Sequence, residues 1–161
     1  IASDWPLVPR PLAATSTAPA SYRALGEKAF DAVAVDASLG DIEQLVVVDL
    51  DGDGDDEAVA SFEHVRSEGT LGAPGDLAAL LLVDVNTRSA TTVASSSIAS
   101  TRSGRDLPAV ARYRVLAVAD LNGDGRMEVV VHTWTGEAAL VRAYAYDGTG
   151  LDEVLAAGCD A

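Results

Sequence analysis

Several things are scarce in this chain of 161 residues, and each scarcity excludes something. There is one cysteine, Cys159, so no internal disulfide can staple the fold. Cys159 sits close to the end of the sequence, where it reads as a bland terminal residue or a thiol able to pair between chains. Aromatic residues make up only 5% of the chain against 48% hydrophobic overall, so the core must be built mainly from Ala, Val and Leu. No apolar run approaches the roughly 20 residues a membrane span needs, which argues against membrane insertion within this sequence. Basic residues are few. Eleven Lys and Arg face 25 Asp and Glu, a net charge of −14, which leaves nothing to neutralise a phosphate backbone and makes nucleic acid an unlikely partner. Anionic membrane surfaces are disfavoured for the same reason. Cations are the natural counterpart of such a chain.

Chemical motifs are also missing. The two histidines, His64 and His132, read as ordinary polar residues on strand faces. No Ser accompanies a nucleophile-elbow sequence, there is no His-Glu-x-x-His, and no Gly-rich loop ends in Lys-Ser/Thr. Paired carboxylates could serve a glycosidase, but each dense acidic cluster has the spacing of a metal loop. The chain is therefore expected not to be an enzyme.

What is present is short, β-like patterning. Residues 1–21, "IASDWPLVPRPLAATSTAPAS", are rich in Pro, Ala, Ser and Thr and read as an extended linker or arm, which Trp5 could dock onto the domain. The sequence opens at Ile1 with no signal peptide in view, the expectation for a processed or trimmed chain. Residues 22–161 read as a single all-β domain. Candidate strands are "KAFDAVAVDA", "EQLVVVDL", "EAVASFEHV", "LAALLLVDV", "ATTVASSS", "RYRVLAVADL", "MEVVVHTW", "ALVRAYAYD" and "LDEVLAAG", each bounded by Gly, Asp, Asn or Ser. "GDLAALLLVD" has helix-like Ala and Leu content, but its length and the turn residues "VNTRS" that follow favour a strand.

The chain also repeats itself. Sliding it by 71 positions lays "LVVVDLDGDGDDEAVA" on "LAVADLNGDGRMEVVV" without a gap. Two repeats follow, about 29–99 and 111–160, each of roughly four strands. That is the size of a propeller blade, although two blades are too few for a closed propeller. The expected architecture is two propeller-blade-like antiparallel units, incomplete for a closed propeller, that pack on each other, with association of chains or membership of a larger array as the alternatives.

Each repeat holds an acidic loop between two strands. Positions 1, 3, 5 and 9 are Asp49, Asp51, Asp53 and Glu57 in the first, and Asp120, Asn122, Asp124 and Glu128 in the second. Gly54 and Gly125 stand at position 6, where a sharp turn brings position 9 back. Calcium takes 6–8 hard oxygen ligands, and alternating Asp and Asn side chains supply them; position 7, Asp55 or Arg126, would give only its backbone carbonyl. A divalent cation would offset the repulsion between the crowded carboxylates. A helix-loop-helix site needs an acid at position 12, but Ala60 and Val131 stand there.

These loops and their flanking strands resemble the calcium loops of FG-GAP/VCBS-type repeats, the family of integrin α-chain propellers and many bacterial surface proteins. The resemblance spans about half of the chain, and "LGAPGD" at 71–76 only approximates the family's Gly-Ala-Pro signature. It implies a calcium-stabilised scaffold or interaction module, extracellular, periplasmic or on the cell surface, with an unidentified protein or glycan as partner. The alternative is a non-catalytic accessory or regulatory domain of a larger secreted enzyme. In a third reading the loops are empty and the surface alone binds a partner.

Overall fold

The computed structural model describes residues 41–66, 71–84, 86–87, 89–98 and 107–160, together with Tyr22 and Ala24. The expected arm over 1–21 and the "KAFDAVAVDA" strand lie outside the described residues. The rest is all-β and antiparallel. The strands are β1 (Asp41–Val48), β2 (Glu57–His64), β3 (Leu71–Gly72), β4 (Leu77–Asp84), β5 (Ser89–Ser97), β6 (Leu107–Pro108), β7 (Arg112–Ala119), β8 (Glu128–Trp134), β9 (Ala138–Tyr146) and β10 (Leu151–Asp160). They form two four-stranded meanders, β1-β2-β4-β5 and β7-β8-β9-β10, and one small pair, β3-β6. The sheets close into neither a barrel nor a propeller. Among the described residues no helix is long and apolar enough to cross a membrane.

"LAALLLVD" forms β4, a strand with both faces covered, so its continuous apolar run is what burial on two sides demands. Its even-numbered Ala78, Leu80 and Leu82 join Val46, Val48 and Val59 in a core shared with the second sheet. Its odd-numbered Leu77, Ala79, Leu81 and Val83 lie on the other face with Leu45, Ala58, Ala60 and Phe62, where Tyr22, Ile42 and Ala90 pack against them. The second sheet behaves differently. Val129 and Val131 on β8 are fully buried, while Val130, His132 and Trp134 on the opposite face are half-exposed. Strict alternation marks a sheet with one covered face.

The 71-residue shift shows how the sheets stack. Val59 of the first repeat corresponds to Val130, yet Val59 faces the shared core and Val130 faces away from it. Ala58 and Ala60, on the outer side of the first sheet, correspond to Val129 and Val131, which face the core. The front of the first sheet therefore meets the back of the second. The units pack in the same sense, head to tail, rather than about a two-fold axis.

Polar ties hold this stacking, among them the Arg112–Glu63 ion pair (3.6 Å) and the Ala111 amide donating to the Ser96 hydroxyl (3.0 Å). Gln44 lies 71 positions before Val115 and acts as a surrogate strand partner to it: its Nε2 donates to the Val115 carbonyl (2.9 Å) and its Oε1 accepts from the Val115 amide (2.8 Å). At the loop end, the Met127 amide donates to the Leu50 carbonyl at 2.8 Å. Gln44→Ala is expected to leave both Val115 backbone groups unpaired and to cost about 1–3 kcal/mol of stability. Chemical denaturation should detect this loss with an unchanged m-value.

Tyr113 and Tyr144 are buried in the core shared by the sheets, and burial raises both phenols above the usual 10. Because the folded values lie above the unfolded ones, each contributes stability that is complete below pH 10 and is lost as pH rises through the folded value. Stability should therefore fall on alkalinisation above about pH 10. The Tyr113→Phe and Tyr144→Phe variants should each show less of that fall in melts recorded across the alkaline range.

Candidate metal centre

Both acidic loops are knotted by their own side chains before any ion is considered. In the first, Asp49 accepts from the amides of Gly52 (2.6 Å) and Gly54 (3.1 Å), Asp51 from Asp53 N (3.3 Å), and Asp53 from Asp55 N (2.8 Å). The second copies it. Asp120 accepts from Gly123 (2.6 Å), Asp124 (3.1 Å) and Gly125 (2.9 Å), Asn122 Oδ1 from Asp124 N (2.8 Å), and Asp124 from Arg126 N (2.8 Å). These are successive Asx turns, in which a short polar side chain binds a backbone amide further along the chain. They bend the chain into left-handed backbone at Gly54 (φ 97°) and Gly125 (φ 89°), which a residue with a Cβ adopts only under strain.

Glu57 and Glu128 open β2 and β8, and each reaches back across its loop. Glu57 Oε2 accepts from the Leu50 amide at 2.8 Å and Glu128 Oε2 from the Leu121 amide at 2.6 Å. Leu50 is itself fully buried in the shared core, so the first loop is pinned by an apolar anchor and a carboxylate together.

The two loops diverge in charge. In the first, donor oxygens of Asp49, Asp51 and Glu57 all lie within 4.8 Å of one another. Burial pushes the Glu57 carboxyl upward, the Leu50 amide opposes this, and the charges of Asp51, Asp53 and Asp49 push it further. The field reaches Tyr146. Burial, followed by the charges of Glu57, Asp51, Asp84 and Asp53, pushes its hydroxyl up to about 12. Among the described residues, the charges acting on Glu57 are all acidic. In the second loop, Asn122 Nδ2 donates to Asp124 Oδ2 (3.1 Å) and to Glu128 Oε1 (2.9 Å). An amide group thus bridges two carboxylates, which is the contact a cation would otherwise make.

Of the positions expected to ligate a metal, the structure draws Asp49, Asp51 and Glu57 into one cluster. Asp53 and Asp55 are exposed. In the second loop Asp124, Asn122 and Glu128 are linked through the Asn122 amide, Asp120 accepts from backbone amides as Asp49 does, and Arg126 is exposed. The donor set of the first loop, hard oxygens on a backbone that turns freely at glycine, suits calcium. In that role Asp49, Asp51 and Glu57 would be the side-chain ligands. The histidines lie on strands as expected: His64 accepts from Arg66 Nε at 3.0 Å, and the His132 ring stacks on Trp134 with centroids 5.3 Å apart.

Sequence reasoning missed the polar residues whose partners are distant. Gln44 is one. Asp76 is another: it is fully buried and accepts from the amides of Arg66 (2.9 Å) and Ala73 (2.8 Å), tying the connection between β2 and β4. "LGAPGD" carried the only available signal, a Gly-bracketed turn ending in an acid.

Asn122→Asp would replace the bridging amide with a fourth carboxylate. Without divalent ions this variant should be less stable than the parent by about 1–3 kcal/mol. Calcium should restore more stability to the variant than to the parent. Melts in chelator and in calcium read both effects.

Comparison of the chain with models of known families, with curated proteins and with solved structures finds no match.

Proposed function

We propose that this chain is a calcium-held scaffold or interaction module without chemistry of its own, working outside the cytoplasm. The observation carrying the proposal is the cluster of Asp49, Asp51 and Glu57 oxygens within 4.8 Å, closed by a glycine turn. The resemblance of both loops to FG-GAP/VCBS-type calcium loops supports it. So does the net charge of −14, which favours cations over anionic partners. Extracellular calcium modules bind with dissociation constants of about 0.1–1 mM, a range suited to an exposed loop with few side-chain ligands.

Calcium in this role joins β1 to β2 and β7 to β8. It would offset the repulsion that Glu57 meets as it closes over Asp49, Asp51 and Asp53. The partner held by the scaffold is a protein or glycan outside the cell.

Calcium at about a hundred times its dissociation constant should stabilise the fold by about 2.7 kcal/mol, or roughly 5–10 °C in Tm. Magnesium, which demands stricter octahedral geometry, should give less. Identical melts in calcium and in excess chelator would defeat the proposal. The first loop should bind more tightly, because it offers more ligand charge and lacks the internal amide bridge. Calorimetry on Asp49→Ala and Asp120→Ala checks the order: the first substitution should remove the tighter site.

A further inference from the structure

The sheets diverge away from β7, the strand that packs on β1, β2 and β4, and a cleft of about 620 Å³ opens between β5 and the β9–β10 hairpin. This is within the range of small-molecule sites, roughly 300–1,000 Å³. Its lining joins aliphatic side chains such as Val93, Leu140 and Leu151 to the polar Thr133, Arg142, Glu153 and Ser96, over Tyr113 and Tyr144 of the shared core.

Arg142 is the unexpected member. The strand register places it in a row with Val131 and Ala156, on the face of the second sheet that looks toward the first. A guanidinium on an inward sheet face is costly to desolvate unless every donor is used. Here they are not all used. Nη1 donates to Thr133 Oγ1 at a long 3.4 Å, and Nε lies 3.2 Å from Glu153 Oε2. That Nε is buried and its alignment gives no hydrogen bond, so the ion pair leaves a donor unmet. Arg142 is 26% exposed and Glu153 47%, which leaves both reachable from the cleft mouth.

We infer that this cleft is a binding site for a neutral polyhydroxylated ligand, a mono- or disaccharide unit gripped by the Arg142–Glu153 pair. A guanidinium beside a carboxylate presents donors and acceptors side by side. A vicinal diol answers both, since each hydroxyl donates and accepts. The half-buried Val93, Leu140 and Leu151 supply apolar surface against which the carbon face of a sugar ring can lie. An anionic ligand is disfavoured, because Glu153 already occupies the guanidinium's flank and the whole chain carries −14. The site is separate from the acidic loops and does not rest on the calcium reading.

The test is a heteronuclear NMR titration of the full chain in calcium. The probes are glucose, galactose, mannose, N-acetylglucosamine, maltose, cellobiose and lactose, each to about 20 mM, with sodium acetate as the anionic comparison. At least one sugar should shift the Thr133, Arg142 and Tyr144 resonances saturably. Arg142→Leu should weaken that binding about tenfold or more, as expected when a charged hydrogen-bonding group is lost. If Arg142→Leu does not fold, Glu153→Gln, at a half-exposed edge position, serves instead and should weaken binding several-fold. The inference is overturned if no sugar shifts these resonances, if binding survives in the folded variant, or if acetate saturates the cleft more tightly than every sugar.

Discussion

The structure depends on a carboxylate at the first residue of a strand reaching back to an amide seven positions earlier. Glu57 and Glu128 both do this, and each closes the hairpin that places two strands of a four-stranded sheet side by side. The contact is favourable in itself, because an ionised acceptor strengthens a hydrogen bond. It is also made where other acids already crowd. Everything distinctive at the loop end of the molecule follows from how that conflict is resolved.

The two repeats resolve it differently on nearly the same backbone. In both loops the first Asp spends its oxygens on amides at positions 4 and 6, so the turn is set without a metal. The second loop then uses the Asn122 amide to donate to both Asp124 and Glu128. The first has Asp51 in that place, which can only accept. Burial is the larger cause that raises the Glu57 carboxyl and the Tyr146 hydroxyl, and the Asp51 charge adds to it. The second loop thus carries a side-chain amide donor at the position where the first carries a carboxylate.

Much of this was legible in the sequence. Runs of four to ten apolar or alternating residues between Gly, Asp, Asn and Ser located the larger strands, and "LAALLLVD" is the strand its flanking turns implied. The 71-residue repeat gave the two units and the equivalence of their loops. The repeat could not give the stacking sense, because that depends on which face of each copy is the more apolar when they meet. Nor did it show β3 and β6, whose two residues apiece are too short to carry a period. Gln44, Asp76 and Arg142 were silent for one shared reason. Each is a polar residue whose role is set by a partner remote in the chain or buried with it, and local pattern does not encode that.

The stacking sense also explains why the sheets differ in composition. In a two-fold pair, equivalent faces meet and both outer faces are alike. Here the front of one sheet meets the back of the other, so the second sheet's front is left as the molecule's outer face. It carries Val130, Trp134 and Val141 with partial exposure, while Ala58, Ala60 and Phe62 on the first sheet's back are closed from solvent. Arg114, exposed on the same strand as Leu116, gives the outer face a charge, while the inner face carries charge at the Arg142–Glu153 pair. There, divergence of the sheets lets water reach the guanidinium and makes its placement affordable. The cleft and the inward charge are therefore two aspects of one packing decision: the sheets close tightly at β7 and part toward β9 and β10.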